Sequence, residues 1–218
     1  MIKAVIFDMD GVIIDSEPLH YKVFMDYTRN KFGLTISDEE YNTFIGTTNH
    51  HMYSTLKRKY AIEGELNQLI EEYEEKCNEF FMSSKTRKPI HGVDILVKNL
   101  HHNKIKLALA SSSPRKSINM VLDMFDMNKF FDVKVSGREV KNSKPAPDIF
   151  LRAAELLNVN PEECLVFEDS QNGVEAAKAA GMKCIAFDNP HSGKQNLSRA
   201  DMIIENFAEV DGAVALAK

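Results

Sequence analysis

Four apolar residues, Ala4-Val5-Ile6-Phe7, run straight into a carboxylate, Asp8, and the same device returns four times further along the chain. Lys106-Leu107-Ala108-Leu109-Ala110 stops at Ser111, Cys164-Leu165-Val166-Phe167 at Glu168, Cys184-Ile185-Ala186-Phe187 at Asp188, and Met202-Ile203-Ile204 at Glu205. Short unbroken apolar runs without alternation read as strands buried on both faces. From about residue 92 onward they alternate with helical segments. Ser113-Pro114 offers a cap followed by a proline suited to the first helical position, and Pro147-Asp148 opens a helix with Ile149, Ala153 and Leu156 on one stripe, stopping near Asn158. An Ala-rich segment from Gly173 to Ala180 stops at Gly181. Such alternation predicts an α/β fold, a doubly wound and mostly parallel sheet with right-handed crossovers, whose ligands gather at the carboxyl ends of the strands. Asp8, Ser111, Glu168 and Asp169 stand at those ends.

Residues 16–88 interrupt the alternation with helical stretches only, so the chain is expected to divide into a core of residues 1–15 and 89–218 and an inserted helical cap of residues 16–88. The first cap helix carries Leu19, Val23 and Tyr27 and ends near Gly33; Ser37-Asp38-Glu39-Glu40 has the pattern of a capping box. Leu66, Leu69, Ile70, Tyr73, Cys77 and Phe80 form a long apolar stripe opposite Glu71, Glu72, Glu74 and Glu75, and core packing explains it. The basic stretch Lys85-Thr86-Arg87-Lys88-Pro89 reads as a solvated return hinge.

Composition narrows the function. The 218 residues carry 27 Lys and Arg against 32 Asp and Glu, a net charge of −5 that provides no basic footprint for nucleic acid. Cys77, Cys164 and Cys184 form no C-x-x-C pair and are odd in number, so neither a disulfide framework nor a zinc site is expected, and a reducing, cytoplasmic setting is. The apolar stretch before Asp8 is too short for a signal-peptide core or a spanning helix, so no membrane partner is expected. A monomer is the default.

Asp8-Met9-Asp10-Gly11 holds two carboxylates two residues apart at a strand exit, with a glycine for a sharp turn. Alone, D-x-D is equally a capping pair. Glu168-Asp169 at another strand end brings four carboxylates toward one crevice, an oxygen-rich site suited to Mg²⁺. Ser111-Ser112-Ser113, between a strand and a helix N-terminus, offers hydroxyls and backbone N–H groups to anionic oxygens. Lys144 in Lys144-Pro145-Ala146-Pro147, read alone, is equally an ordinary surface cation; beside the carboxylates its charge offsets theirs. The four pieces together point to phosphoryl transfer.

In order and spacing, Asp8-x-Asp10-Gly11-Val12, Ser111, Lys144-Pro145 and Glu168-Asp169-Ser170 resemble the four motifs of the haloacid dehalogenase superfamily, in particular the branch of β-phosphoglucomutase and small sugar-phosphate phosphatases. The resemblance spans nearly the whole chain and implies a Rossmann-like core with a helical cap. It also implies that Asp8 is a nucleophile forming an aspartyl-phosphate, and that Asp10 is the acid toward the leaving oxygen and then the base toward water or a hydroxyl. Mg²⁺ is expected on Asp8, the Asp10 backbone carbonyl and Asp169, with Glu168 a ligand or a supporting partner. Ser111 and Lys144 are expected on the phosphoryl oxygens, and loss of Lys144 is expected to cost catalysis far more than stability. His20 and Lys76 match substrate-side positions of the mutase cap; alone, each is an ordinary helix-surface residue. Gly46, Asn49, Ser112, Ser113 and Arg115 complete the expected substrate contacts.

Two departures stand out. Where the mutases carry an Arg gripping a distal phosphate, this chain reads Gly46-Thr47-Thr48-Asn49, and Asn49 cannot make a bidentate charged grip. The Lys that follows the family's Ser cluster is replaced within Ser113-Pro114-Arg115, leaving Arg115 to compensate. Both favour a phosphatase of small phosphorylated sugars or polyols, with β-phosphoglucomutase as the alternative. A phospho-acceptor signalling module would use similar charges, but it needs neither the second Asp nor a cap of about 70 residues that excludes water. A binding protein without turnover would need Asp8 or Asp10 misplaced. The adjacent pairs His50-His51 and His101-His102 are read as surface residues, and Asn189-Pro190-His191-Ser192-Gly193 as a loop with no assigned role.

Overall fold

A computed structural model describes residues 1–83 and 88–211. The core of the expected hinge, Lys85 to Arg87, lies outside the described residues. Six parallel strands form one sheet in the order β3-β2-β1-β4-β5-β6, with β1 Ala4–Phe7, β2 Lys106–Ser111, β3 Val133–Ser136, β4 Cys164–Glu168, β5 Lys183–Phe187 and β6 Met202–Ile204. Five of these are the apolar runs. The sixth, β3, was not foreseen: Val-Lys-Val-Ser is short, partly exposed and at the sheet edge, so it needs no continuous apolar run.

Strand parity sorts the core. Val5, Phe7, Leu107, Leu109, Leu165 and Phe167 face one way, under α5 (Val93–His102) and α6 (Arg115–Met124). Ala4, Ile6, Ala108, Ala110, Val166 and Cys184 face the other, under α7 (Asp148–Leu157) and α8 (Gln171–Ala179). Phe7 and Phe167, register partners on β1 and β4, stack at 5.0 Å, immediately before Asp8 and Glu168. Burial of each ring is worth about 1.5–3 kcal/mol, which anchors the strand ends that carry the acids.

Among the described residues four helices intervene between β1 and α5: α1 Glu17–Phe32, α2 Asp38–Asn42, α3 Asn49–Tyr60 and α4 Leu66–Ser83. They bury a separate apolar cluster that includes Phe24, Tyr27, Tyr53, Leu56, Tyr73 and Cys77. Its signals match the expectations: Gly33 ends α1 in the left-handed region at φ 67°, Ser37 caps α2 by accepting from the Glu40 N–H, and the α4 stripe is inward. All three cysteines are free and buried. Among the described residues no helix is long and apolar enough to cross a membrane.

One boundary is corrected. α6 begins at Arg115, with Pro114 flanking it and Ser113 not capping it. The Ser113 hydroxyl instead donates to Asp10 at 2.8 Å, a charge-assisted bond that turns the side chain toward the site, where the Ser16 and Ser111 hydroxyls donate to the same carboxylate.

Candidate active site

The β1 and β4 ends place Asp8, Glu168 and Asp169 so that one oxygen of each lies within 4.8 Å of the others, all buried. Lys144, reaching in ahead of α7, donates to Asp8 Oδ1 and Glu168 Oε1 at 2.6 Å each and sits 5.0 Å over the Phe150 ring. Burial opposes its charge, yet the two carboxylates raise its pKa. Glu168 is fully committed: its second oxygen accepts from the backbone N–H of Asp169 and of Ser170 and from the Ser170 hydroxyl, at 2.9–3.0 Å. It therefore holds Lys144 and the β4–α8 turn. Burial pushes Asp8 up to about 8 and Asp169 well above the carboxylate range, Glu168 adding to both.

The buried carboxylates of Asp8 and Asp169 keep oxygens clear of Lys144 and, as hard donors, fit the set Mg²⁺ prefers, while Glu168 in the same cluster is committed to Lys144 and the turn. Two glycines make room for the acids of this cluster. Gly11, at φ 79°, passes so close to Asp169 that a Cβ there would lie 1.9 Å from Oδ2, and a Cβ on Gly173 would lie 1.8 Å from the Glu168 carboxylate.

Asp10 points away from this cluster. Its carboxylate accepts from Ser16 at 2.7 Å, Ser113 at 2.8 Å and Ser111 at 3.3 Å, and His20 Nε2 lies at 3.5 Å. Burial works against its charge, but the bonds from His20, Ser16 and Ser113 hold the pKa down at about 2. Burial likewise opposes the imidazolium of His20, and the contacts with Asp10 and Cys77 overcome it, raising its pKa well above the usual value. Both shifts favour a carboxylate on Asp10 facing an imidazolium on His20.

A cavity of about 90 Å³ between the sheet and the helices is lined by Asp8, Asp10, Lys144, Glu168, Asp169, Ser112, Ser113, His20, Gly46 and Asn49, ten of the expected residues. Three others are placed elsewhere. Ser111 is completely buried beneath the lining and spends its hydroxyl on Asp10 and the Ser113 N–H. Lys76 is corrected: helical phase puts Tyr73 and Cys77 inward and Lys76 on an outer groove with Asp26, Glu72 and Glu79. Arg115 is also corrected, being turned outward into a two-pronged bond with Glu139 at 2.9 and 2.6 Å. Both adjacent His pairs are exposed, as expected.

The residues missed are informative. Glu17 and Tyr41 line the cavity, Glu17 accepting from the Tyr41 hydroxyl at 3.4 Å and raised by burial to about 7. The only signal was position, since Glu17 opens the first helix after the D-x-D turn. The loop left without a role turns out to brace the site: Asn189 donates to the Gly11 carbonyl at 3.0 Å and Ser192 donates to Asp169 Oδ2. Nothing local in Asn-Pro-His-Ser-Gly announces contacts nearly 180 residues back.

Comparison with known proteins agrees with this geometry. Over 183 residues the chain is 37% identical to a phosphorylated carbohydrates phosphatase of Thermotoga maritima, covering 84% of this chain and 83% of that protein. Hexitol phosphatase B of Escherichia coli K12 is 33% identical over 214 residues, covering 96% and 94%. A crystal structure of β-phosphoglucomutase from Clostridium difficile superposes with a TM-score of 0.87 at 28% identity, covering 99% of this chain and 96% of that one. With the profile of haloacid dehalogenase-like hydrolases matching residues 5–187, and with the acids, lysine and serines of its sheet edge gathered as described, the chain belongs to the haloacid dehalogenase-like hydrolases.

Proposed function

We propose that this protein is a phosphatase of small phosphorylated sugars or polyols that works through an aspartyl-phosphate on Asp8. The observation that carries the reading is the division of labour between two carboxylates two residues apart. Asp8 is held by Lys144 in a buried acidic cluster, and Asp10 is held by serines and His20 facing the cavity. Asp8 attacks phosphorus; as the ester bond breaks, the leaving oxygen takes the proton held by the Asp10–His20 pair. Water then attacks the acyl phosphate and gives its proton to Asp10, releasing inorganic phosphate and restoring Asp8. Lys144, with the Ser112 and Ser113 loop, offsets charge on the phosphoryl oxygens. Mg²⁺ would be held by Asp8, Asp169 and the Asp10 carbonyl, and supplies further neutralisation of the transferring group. Glu168 supports the site without ligating.

The division into a core of residues 1–15 and 89–218 and a cap of residues 16–88 is part of this proposal, supported by the separate apolar cluster of α1–α4. The cavity of about 90 Å³ is too small for a whole sugar phosphate, and opening of the helical layer would help to admit one.

Hydrolysis is favoured over mutase turnover because Asn49 is uncharged and already bonded to Glu74 at 3.0 Å, where a mutase must retain a bisphosphate. Phosphatases among the relatives support the same choice. The likeness to β-phosphoglucomutase keeps that second reading in the test. ³¹P NMR of the protein with Mg²⁺, β-glucose 1-phosphate and a trace of glucose 1,6-bisphosphate, with Asp8→Asn as control, separates them. Free phosphate supports the phosphatase and leads to a panel of sugar and polyol phosphates; glucose 6-phosphate without matching free phosphate makes the protein a mutase.

A further inference from the structure

Beside the small cavity lies a wider one of about 440 Å³, and the two share Thr48, Asn49 and Ser112. The small cavity accommodates a phosphoryl group; the part of the substrate that does not react has room only in the wider one. Part of its wall is a bridge from sheet to helices. Arg138, on the turn Gly137–Glu139 after β3, donates to both carboxylate oxygens of Glu74 on α4 at 2.6 Å. The Asn49 amide donates to the same Glu74 at 3.0 Å. The backbone at Arg138 is held in place: its N–H bonds the Ser136 hydroxyl, and a Cβ on Gly137 would lie 3.0 Å from the Ser112 backbone, while the Arg138 side chain is half exposed.

The chemistry of this wall is selective. Arg138 and Lys141 are cations lining this cavity, and Glu74 has already taken Arg138, both carboxylate oxygens accepting from its Nη2. A dianion arriving there would have to displace Glu74 or lie against its carboxylate. A hydroxyl meets no such conflict, since it can donate to Glu74 and accept from the remaining guanidinium N–H groups. We propose that the Arg138–Glu74–Asn49 bridge is the specificity element of the site, admitting the neutral, polyhydroxylated end of a monophosphate and rejecting a second phosphate. The proposal rests on the phosphatase reading and names the substrate class of that same site.

The test is steady-state phosphate release from a hexitol 6-phosphate and from glucose 1,6-bisphosphate, with p-nitrophenyl phosphate reporting the core machinery. It compares the wild type, Glu74→Gln, Arg138→Ala and the double variant. Glu74→Gln frees Arg138, so the bisphosphate-to-monophosphate ratio of kcat/KM should rise about tenfold or more through a lower bisphosphate KM, and adding Arg138→Ala should abolish the rise. A ratio within threefold of wild type in Glu74→Gln, or a gain that survives loss of Arg138, overturns the proposal. If wild type releases phosphate from none of the esters, the phosphatase reading itself fails. The ratio is then read as calorimetric affinity of the Asp8→Asn background for the bisphosphate and the monophosphate, with the same thresholds.

Discussion

Replacing Lys144 by Met keeps most of its volume and removes its charge from between Asp8 and Glu168. The side chains of Lys144, Asp8 and Glu168 are 3%, 8% and 1% exposed, which places both pairs in the regime where breaking a buried ion pair costs about 3–5 kcal/mol, far from the 0–1 kcal/mol of a surface bridge. An independent route gives a similar figure. Without Lys144 the acidic cluster relieves itself by binding one more proton, and at pH 7 protonating a carboxylate whose unfolded pKa is near 4 costs about 1.36 kcal/mol for each of roughly three units, about 4 kcal/mol. The sign follows from linkage. Above pH 4 the variant's folded state binds one proton more than the wild type's, in which Asp8 and Asp169 are already raised, while the unfolded states titrate alike, so the deficit grows with pH, from about 1.4 kcal/mol at pH 5 to about 4 at pH 7. That is a large fraction of a typical 5–15 kcal/mol. Urea unfolding of wild type and Lys144→Met in EDTA at pH 5 and pH 7 measures it, and Mg²⁺ should restore part of the loss. Turnover should fall by a factor of about 10² or more. Equal stability of the two proteins at pH 7, or a deficit that shrinks as pH rises, refutes the argument. The double pairing thus gives Lys144 a stability role beside the catalytic one that the sequence suggested.

Further outcomes follow from the same geometry. Gly173→Ala drives a methyl to 1.8 Å from the Glu168 carboxylate and should cost about 3 kcal/mol or more with loss of turnover; a thermal melt within 2 °C of wild type contradicts this. Lys76→Ala should leave KM for sugar phosphates within twofold, because Lys76 lies on the outer groove, and a rise of tenfold would restore the substrate role expected from sequence. Burial raises Asp8 to about 8 and Asp169 upward, so below pH 8 a bound cation must displace protons. The Mg²⁺-induced rise in melting temperature should therefore be larger at pH 8.5 than at 6.5, and the reverse order would count against cation binding at these acids.

Much of this protein is local and so could be read directly. Five of six strands announced themselves, because strands buried on both faces must be apolar throughout, and the acids at their ends needed only the parallel-sheet rule to be brought together. Helix ends at Gly33, Asn158 and Gly181 followed from left-handed backbone that few residues tolerate. The D-x-D pair and Glu168-Asp169 were legible for the same reason, each being a short motif fixed to a strand end, and Lys144 stood out in a proline-bounded turn just ahead of a helix.

Tertiary structure decided what depends on direction and on distant partners. Lys76 and Arg115 sit where their sequence positions suggested and point elsewhere, since helical phase and a nearby Glu139 set where they go. Ser113 gave up a helix cap to a carboxylate more than a hundred residues away. The loop from Asn189 to Gly193 became the brace of Gly11 and Asp169, and Arg138 met Glu74 across the mouth of the site, with no pattern in either segment to forecast the meeting. Secondary structure is written in spacing along the chain, whereas a hydrogen bond between segments depends on which side chains a finished fold leaves facing each other. The chemistry was therefore readable from the sequence, and the shape of the space around it was not.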